Sequence, residues 1–265
     1  MPLIDPGLRL AAAEAVAREA GSLARTFYEG RDSLVIESKG AQDLVSKADR
    51  EVETLIRDRL AGLFPEDGFV GEEHDHAMVD PDVGGHWVID PIDGTWCFLN
   101  GIGAWCVSLA YERAGQIEVG VVYDPMAGEL FAARRGGGAR MNGRPIRVAA
   151  ATSLGDGTVS LGYSLRCPHD EMLPLFEKLL AAGGMYHRHG SGALGLAWTA
   201  AGRLIGYLEP HMNSWDCLAG ILLIEEAGGF ANDFLSQNGL LDGNRVIAGP
   251  PALKAELERL TSHWA

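Results

Sequence analysis

The chain has 265 residues, 47% of them hydrophobic, and a formal net charge of −14 at pH 7. This composition supplies enough apolar material for one large domain or two modest ones. Nucleic acids and anionic membranes bind cationic surfaces, so the strongly negative balance excludes both as general partners.

The hydrophobic pattern contains no apolar run approaching the ~20 residues of a membrane span, and the first residues have no signal-peptide character. We therefore expect a soluble protein of the cytoplasm. The four cysteines, Cys97, Cys106, Cys167 and Cys217, have no CxxC spacing and are too few for a disulfide framework. Free thiols are expected.

Two amphipathic helices are predicted near the N-terminus. The first begins at Asp5 and ends at Gly30. A polar loop at residues 39–49 leads into the second, which Pro65 ends. Asp49 then lies in the first turn of this helix, where the helix dipole favours a carboxylate whether or not it has a chemical role.

A short strand is predicted at residues 69–71, and two acids, Glu72 and Glu73, follow it. At a strand end, one of these carboxylates could reach a shared cation, although adjacent acids are more often solvated. His74 and His76 come next. Their HxH spacing is a weak zinc signal without an accompanying thiolate, so a zinc site is disfavoured.

Residues 86–95 combine a predicted strand with two acids and a hydroxyl. An apolar strand delivers Asp90 at its end, because Pro91 removes a backbone donor and should stop the ladder. Asp93 follows, then a glycine that permits a tight turn, then the Thr95 hydroxyl. Such converging oxygen ligands suit Mg²⁺. From these residues alone, an acidic turn whose carboxylates hydrogen-bond their own backbone remains an equal alternative.

An antiparallel sheet flanked by the two helices is predicted for the rest of the first half. β-rich runs occupy residues 105–112, 117–123, 129–133 and 146–148 and are joined by short turns. The glycines at 136–138 form one of these turns. They do not form a phosphate loop, since neither Lys-Ser/Thr nor a helix follows.

The small-residue stretch 149–153 is the predicted boundary between two halves, residues 1–150 and residues 151–265. In the second half strands alternate with helices, which indicates an α/β arrangement. The strands are predicted at residues 158–163, 185–188, 205–209 and 245–248, and the helices at residues 170–182, 192–201, 215–227 and 251–260. Asp216 lies in the first turn of an apolar, buried helix. Glu209, seven residues upstream, could share its cleft.

Three separated motifs now resemble one family. They are Asp90-Pro91-Ile92-Asp93-Gly94-Thr95, Gly71-Glu72-Glu73, and Trp215-Asp216 with Glu225-Glu226-Ala227-Gly228-Gly229. In this order they are similar to the inositol monophosphatase family of Mg²⁺-dependent, lithium-sensitive phosphatases. The resemblance covers about residues 43–229. It implies an α-β-α-β-α layered sandwich, with a largely antiparallel N-terminal sheet and a mixed C-terminal sheet, and usually a homodimer.

The resemblance also implies roles for individual residues. The ligands of two to three Mg²⁺ ions would be Glu72, Asp90, the carbonyl of Ile92, Asp93 and Asp216. Thr95 and Asp49 would orient and deprotonate the attacking water, and Glu73 would act from outside the metal's ligands. Substrate contacts are expected from Asp93, Gly94, Thr95, Ser191, Gly192, Glu209 and Asp216.

The implied activity is hydrolysis of inositol monophosphate or a related small polyol or sugar phosphate. Trp96-Cys97 departs from the small polar residues common after the Asp-Gly-Thr, and Ile205 stands where many members have Asp. We favour core packing for Trp96 over a role in flattening the pocket for a different ring. Histidinol phosphate, nucleotide 3′-phosphates and fructose bisphosphate remain open as substrates. A histidinol-phosphate phosphatase is the runner-up, and a non-catalytic regulatory relative is a further alternative.

Overall fold

The computed structural model describes residues 6–33, 36–40, 43–73, 84–164 and 167–264. Its helices are α1 (Pro6–Glu29), α2 (Lys47–Leu63), α3 (Thr95–Leu99), α4 (His169–Ala181), α5 (Gly192–Ala200), α6 (Ser214–Glu226), α7 (Gly239–Asp242) and α8 (Lys254–Leu260). Its strands are β1 (Ile36–Gly40), β2 (Asp43–Ser46), β3 (Gly68–Gly71), β4 (His86–Asp93), β5 (Cys106–Arg113), β6 (Gln116–Asp124), β7 (Glu129–Arg134), β8 (Ala139–Met141), β9 (Arg144–Pro145), β10 (Thr158–Leu161), β11 (Met185–His187), β12 (Gly206–Met212), β13 (Phe230–Ala231) and β14 (Asn244–Gly249).

Two large sheets organise these elements. The first has the order β3-β4-β5-β6-β7-β8-β9 and is antiparallel except for the parallel pair β3 and β4. The second has the order β11-β10-β12-β14-β13 and is mixed, since β10 runs parallel to both neighbours while β14 is antiparallel to β12 and β13. Both predicted sheet types are confirmed.

Helices fill the three layers around these sheets. Helices α1 and α2 pack on the outer face of the first sheet. Helices α5 and α6 lie between the sheets in a shared apolar core, and α4 and α8 cover the outer face of the second sheet. The predicted α-β-α-β-α sandwich is therefore present. Along the chain the last strand of the first sheet ends at Pro145 and the second sheet begins at Thr158, and α5 and α6 belong to a core that both sheets share. The boundary near residue 150 stays a prediction.

Helix α6 shows why the central layer forms. Its residues from Cys217 to Ile224 are buried all round the helix, as an apolar helix between two sheets must be. At its end, the carboxylate of Glu226 accepts hydrogen bonds from the backbone N–H groups of Gly136 and Gly138, both at 2.7 Å. The N–H groups of this glycine turn therefore bind a carboxylate of the same chain. This agrees with the prediction that the turn is not a phosphate loop.

Strand β4 does not stop at Asp90 as predicted. It continues to Asp93, and its pairing with β5 shifts by one residue between Asp90, opposite Ser108, and Asp93, opposite Cys106. This β-bulge accommodates Pro91 at a position where the ladder requires no donor. The strand can therefore present two carboxylates on one short stretch.

Two further predictions of local structure, one of a loop and one of a strand, were wrong. Residues 39–49 are not simply a polar loop, because their described part belongs to the antiparallel hairpin of β1 and β2 and to the start of α2. Pairing between strands satisfies the backbone N–H and C=O groups of a polar segment, so a hairpin can form without an apolar sequence pattern. Residues 146–148 are not a strand. Instead, the backbone N–H of Val148 donates to the carbonyl of Ala227 (3.2 Å), which ties this segment to the end of α6.

The four cysteines are free thiols, as expected. Among the described residues, none of the helices combines the length and the apolar character needed to cross a bilayer.

Candidate active site

The parallel pairing of β3 with β4 places Glu72 beside Asp90. Gly71 is opposite Ile89, and the backbone N–H of Glu72 donates to the carbonyl of Ile89 (3.3 Å). The acid that follows β3 is therefore level with the first acid of β4. The carboxylate of Glu53 from α2 occupies the space beside Gly71 that an added Cβ would enter.

Helix α6 brings Asp216 to the same point from the central layer. Ser108 is the residue of β5 that pairs with Asp90 of β4, and its hydroxyl donates to the carbonyl of Trp215 (3.1 Å). This bond fixes the first turn of α6 next to the bulge of β4. Carboxylate oxygens of Glu72, Asp90 and Asp216 consequently lie within 4.8 Å of one another, and we call these three residues the carboxylate cluster.

The bulge itself is held by local hydrogen bonds. The Asp90 carboxylate accepts from the backbone N–H of Ile92 (3.0 Å), and the Thr95 hydroxyl donates to the carbonyl of Ile92 (3.1 Å). Gly94 has a φ of 95°, in the left-handed region. Asp90 thus makes the backbone bond of an acidic turn and also belongs to the carboxylate cluster, so the two interpretations of this stretch do not exclude each other.

Asp93 points at the N-terminus of α5. Its carboxylate accepts hydrogen bonds from the Ser191 hydroxyl (2.5 Å), the Ala193 N–H (2.7 Å) and the Gly192 N–H (3.3 Å). Unpaired N–H groups at a helix N-terminus favour an anion. Burial and the charge of Asp216 nevertheless dominate, and they raise the pKa of Asp93 to about 7.

Like charge and burial also act on Asp90. Its pKa is raised well above the usual range, first by burial and then by the charges of Glu72, Asp93 and Asp216. A cation among these oxygens would relieve both effects. The donor set consists of hard oxygens only, so its chemistry fits Mg²⁺ and does not favour zinc.

One family model matches nearly the whole chain. The model of the inositol monophosphatase family matches residues 8–264. The chain belongs to the inositol monophosphatase family. It is 40% identical to an inositol-1-monophosphatase of Mesorhizobium japonicum and 39% identical to the Nus factor SuhB of Escherichia coli K12, with 92% of each chain covered in both cases.

Solved structures of the inositol monophosphatase family agree in fold. The extragenic suppressor protein suhB of Bartonella henselae superposes with a TM-score of 0.90 at 34% identity, covering 97% of this chain and 100% of that one. An IMPase of Thermotoga maritima gives a TM-score of 0.84 at 29% identity, with 96% of each chain covered. These relatives carry two kinds of name, one enzymatic and one not.

The structure places the remaining predicted site residues as follows. Asp49 is buried in the first turn of α2, which confirms its helix position. The backbone N–H of Glu73 donates to Glu53 (2.8 Å). Ser191 is buried with its hydroxyl on Asp93, and Glu209 is buried within β12. Their catalytic and substrate-binding roles stay predictions, and His74 and His76 lie outside the described residues.

Sequence reasoning missed two residues that support the site. Glu53 is fully buried in α2, where it accepts from the N–H of Glu73 and from Arg57 (2.7 Å). Ser108 anchors α6 as described. Glu53 and Arg57 have the i, i+4 spacing of an ordinary helix pair, and Ser108 is one serine in a strand. Neither residue has a sequence pattern that would indicate its role in supporting the site.

The preferred interpretation of Trp96 was wrong. Its side chain is 51% exposed and is not part of the core. The next residue, Cys97, is buried, and its thiol lies 4.0 Å from the carbonyl of His189. In this short helix the buried positions are Cys97 and Phe98, so the helix register turns Trp96 outward.

Proposed function

We propose that this protein is a Mg²⁺-dependent phosphomonoesterase that hydrolyses inositol monophosphate or a related small polyol or sugar phosphate. The observation that carries the proposal is the carboxylate cluster, together with the buried Asp93 beside it. Buried like charges cost stability unless a cation offsets them. A cluster of this kind suits a cation that neutralises phosphate.

Five groups would hold the metal: the carboxylates of Glu72, Asp90, Asp93 and Asp216 and the carbonyl of Ile92. Bound Mg²⁺ supplies Lewis acidity, which neutralises phosphoryl oxygens and lowers the pKa of water. The chain contributes the positioning. The bulge of β4 fixes Asp90 and Asp93, and α5 holds Asp93 through its N–H groups. Thr95 and Asp49 are proposed to orient the attacking water and to accept its proton, and Glu73 is proposed to act from outside the metal's ligands.

The polyol part of the substrate is assigned to the second half of the chain. Glu209 offers a carboxylate that accepts hydrogen bonds from hydroxyl groups. It lies near the cluster, since its charge and that of Asp216 both raise the pKa of Cys217. A carboxylate in this place favours a hydroxyl-rich substrate over a second phosphate, which it would repel.

We also propose a cytoplasmic homodimer that lithium inhibits, as the family pattern implies. An exposed apolar surface supports the dimer. Leu173 and Leu180 of α4 are 63% and 53% exposed, and Met185 and Tyr186 of the edge strand β11 are 62% and 47% exposed. Phe176 joins the two groups through its ring contact with Tyr186. Exposed apolar patches of this kind mark association surfaces.

Two other functions remain as candidates. A histidinol-phosphate phosphatase would use the same metal site with a different organic group. A regulatory protein that does not use the site is favoured by the 39% identity to the Nus factor SuhB. Against it, each of the proposed metal-ligand positions carries an oxygen donor.

The test compares the wild type with Asp93→Asn. Phosphate release from inositol monophosphate and from histidinol phosphate is measured side by side with and without Mg²⁺. We expect Mg²⁺-dependent release by the wild type and loss of at least ~100-fold in the variant, with a normal far-UV circular dichroism spectrum. Asp170→Asn, an exposed aspartate in α4, is the matched control. Turnover retained by Asp93→Asn would refute the metal-site argument.

A further inference from the structure

Strand β12 carries two polar residues on one face, Tyr207 and Glu209. Residues two apart in a strand point to the same side of the sheet. The Tyr207 hydroxyl donates to Glu209 Oε2 at 2.6 Å, and the two side chains are buried, with residue exposures of 2% and 8%. A short, buried hydrogen bond to a carboxylate is among the stronger ones in proteins.

Three glycines make room for this pair. A Cβ at Gly162, just after β10, would overlap the Glu209 carboxylate and lie 2.6 Å from the Tyr207 hydroxyl oxygen. A Cβ at Gly192 would lie 3.2 Å from the same oxygen, and one at Gly195 would lie 2.6 Å from the ring. The phenol is therefore enclosed by the loop after β10 and by the first turns of α5.

This enclosure connects the pair to the metal-binding residues. The Tyr207 hydroxyl lies in the space that a Cβ of Gly192 would enter, and the same glycine donates its N–H to Asp93. Burial and the charge of Glu209 raise the pKa of Tyr207, and the charges of Asp93 and Asp216 raise it further. The hydroxyl thus stays protonated and remains a donor to Glu209.

We infer that Tyr207 is a positioning residue that fixes the carboxylate of Glu209 for a hydroxyl of the polyol phosphate. The inference rests on the proposed function, since it assigns the organic group of the substrate to Glu209. A glutamate side chain loses rotamer freedom when it binds a ligand. The hydrogen bond from Tyr207 restricts this freedom before the substrate arrives.

Tyr207→Phe tests the inference because it keeps the ring and its packing and removes only the hydroxyl. kcat/KM is measured for inositol monophosphate and for p-nitrophenyl phosphate, which has no polyol hydroxyl. We expect the ratio of the two values to fall about tenfold, mainly through a higher KM for inositol monophosphate, as for the loss of a hydrogen bond to a charged group. A purely structural defect would lower both values alike.

The matched control is Tyr111→Phe, which removes another buried phenol that donates to a carboxylate, Asp67, at 3.2 Å. It should leave the substrate ratio unchanged. Glu209→Gln alone should also lower the ratio. If Tyr207 acts through Glu209, adding Tyr207→Phe to Glu209→Gln should change the ratio by less than about twofold.

The outcomes separate the two proposals. Mg²⁺-dependent activity in the wild type with an unchanged ratio in Tyr207→Phe would overturn this inference and leave the proposed function standing. An equal fall in the ratio with and without Glu209→Gln would also overturn it. Absence of Mg²⁺-dependent release in the wild type would overturn the proposed function itself, and with it the role of Tyr207.

Discussion

Removing a charge from the carboxylate cluster should make the metal-free protein more stable while it destroys Mg²⁺ binding. Asp90→Asn is the most informative change, because Asp90 is 1% exposed and feels the charges of Glu72, Asp93 and Asp216. The new amide keeps an oxygen that can accept from the N–H of Ile92. Its NH₂ group can donate where the carboxylate repelled its neighbours.

The magnitude follows from the separations. The carboxylate oxygens of the cluster lie within 4.8 Å of one another, and two unit charges at that limit repel by about 3.5 kcal/mol at an effective dielectric constant of 20. Proton uptake by the cluster relieves part of this repulsion, so we expect a gain of about 2 kcal/mol in the free energy of unfolding at pH 8. For 265 residues, this raises Tm by about 4 °C.

The assay is thermal unfolding at pH 8, with chelator and with Mg²⁺. Asp90→Asn should unfold at a higher temperature than the wild type in chelator and should gain nothing from Mg²⁺. The control is Asp67→Asn, at a buried aspartate that accepts two hydrogen bonds from Arg9, one from Trp87 and one from Tyr111. It should lose about 3–5 kcal/mol, because a buried cation loses its partner. A metal-free Asp90→Asn that is no more stable than the wild type would refute the reasoning.

Two further predictions concern the same site. The folded protein raises the pKa of Asp93 from 3.8 to about 7 and that of Asp90 in the same direction, so the folded state binds protons more tightly than the unfolded state. Metal-free stability should therefore fall as the pH rises from about 4 through about 7, while the Tm increase caused by Mg²⁺ grows over that range. An equal increase in Tm on addition of Mg²⁺ at pH 5.5 and at pH 8 would contradict this prediction. Ser108→Ala removes the hydroxyl that anchors α6 at Trp215 and should cost about 1 kcal/mol of stability and several-fold in Mg²⁺ affinity. Calorimetry with Mg²⁺ measures the second effect, and an unchanged affinity would show that the bond does not position Asp216.

The sequence was sufficient to predict elements whose pattern is local. Helix α6 was predicted within a residue or two of its bounds. Asn213 marks its start, and the apolar run that follows indicates a helix that is buried on all sides. The layered fold followed from the family resemblance. By contrast, the β-bulge of β4 depends on the pairing of Asp93 with Cys106 in another strand, which no local pattern reveals.

A single sequence also does not allow prediction of side chains that are buried because they bind backbone groups of a distant segment. Glu53 lies on α2 next to the apolar stripe of Val52, Ile56 and Leu60, where a charged residue normally faces water. The N–H of Glu73 and the guanidinium of Arg57 are partners of its buried carboxylate. The exposure of Trp96 depends on the register of a helix one turn long, so an aromatic residue was assigned to the core for reasons of composition alone.

The energetics of the cluster bear on the choice between an enzyme and a regulatory protein. Glu72, Asp90 and Asp216 come from three separate elements, and Ser108 and Glu53 hold these elements in place. This arrangement concentrates negative charge where burial makes it unfavourable. A protein that acted only through its surface would gain stability by losing one of these charges, as Asp90→Asn should show. The cluster therefore makes physical sense when a divalent cation binds there, which supports the phosphatase over a role that leaves the site unused.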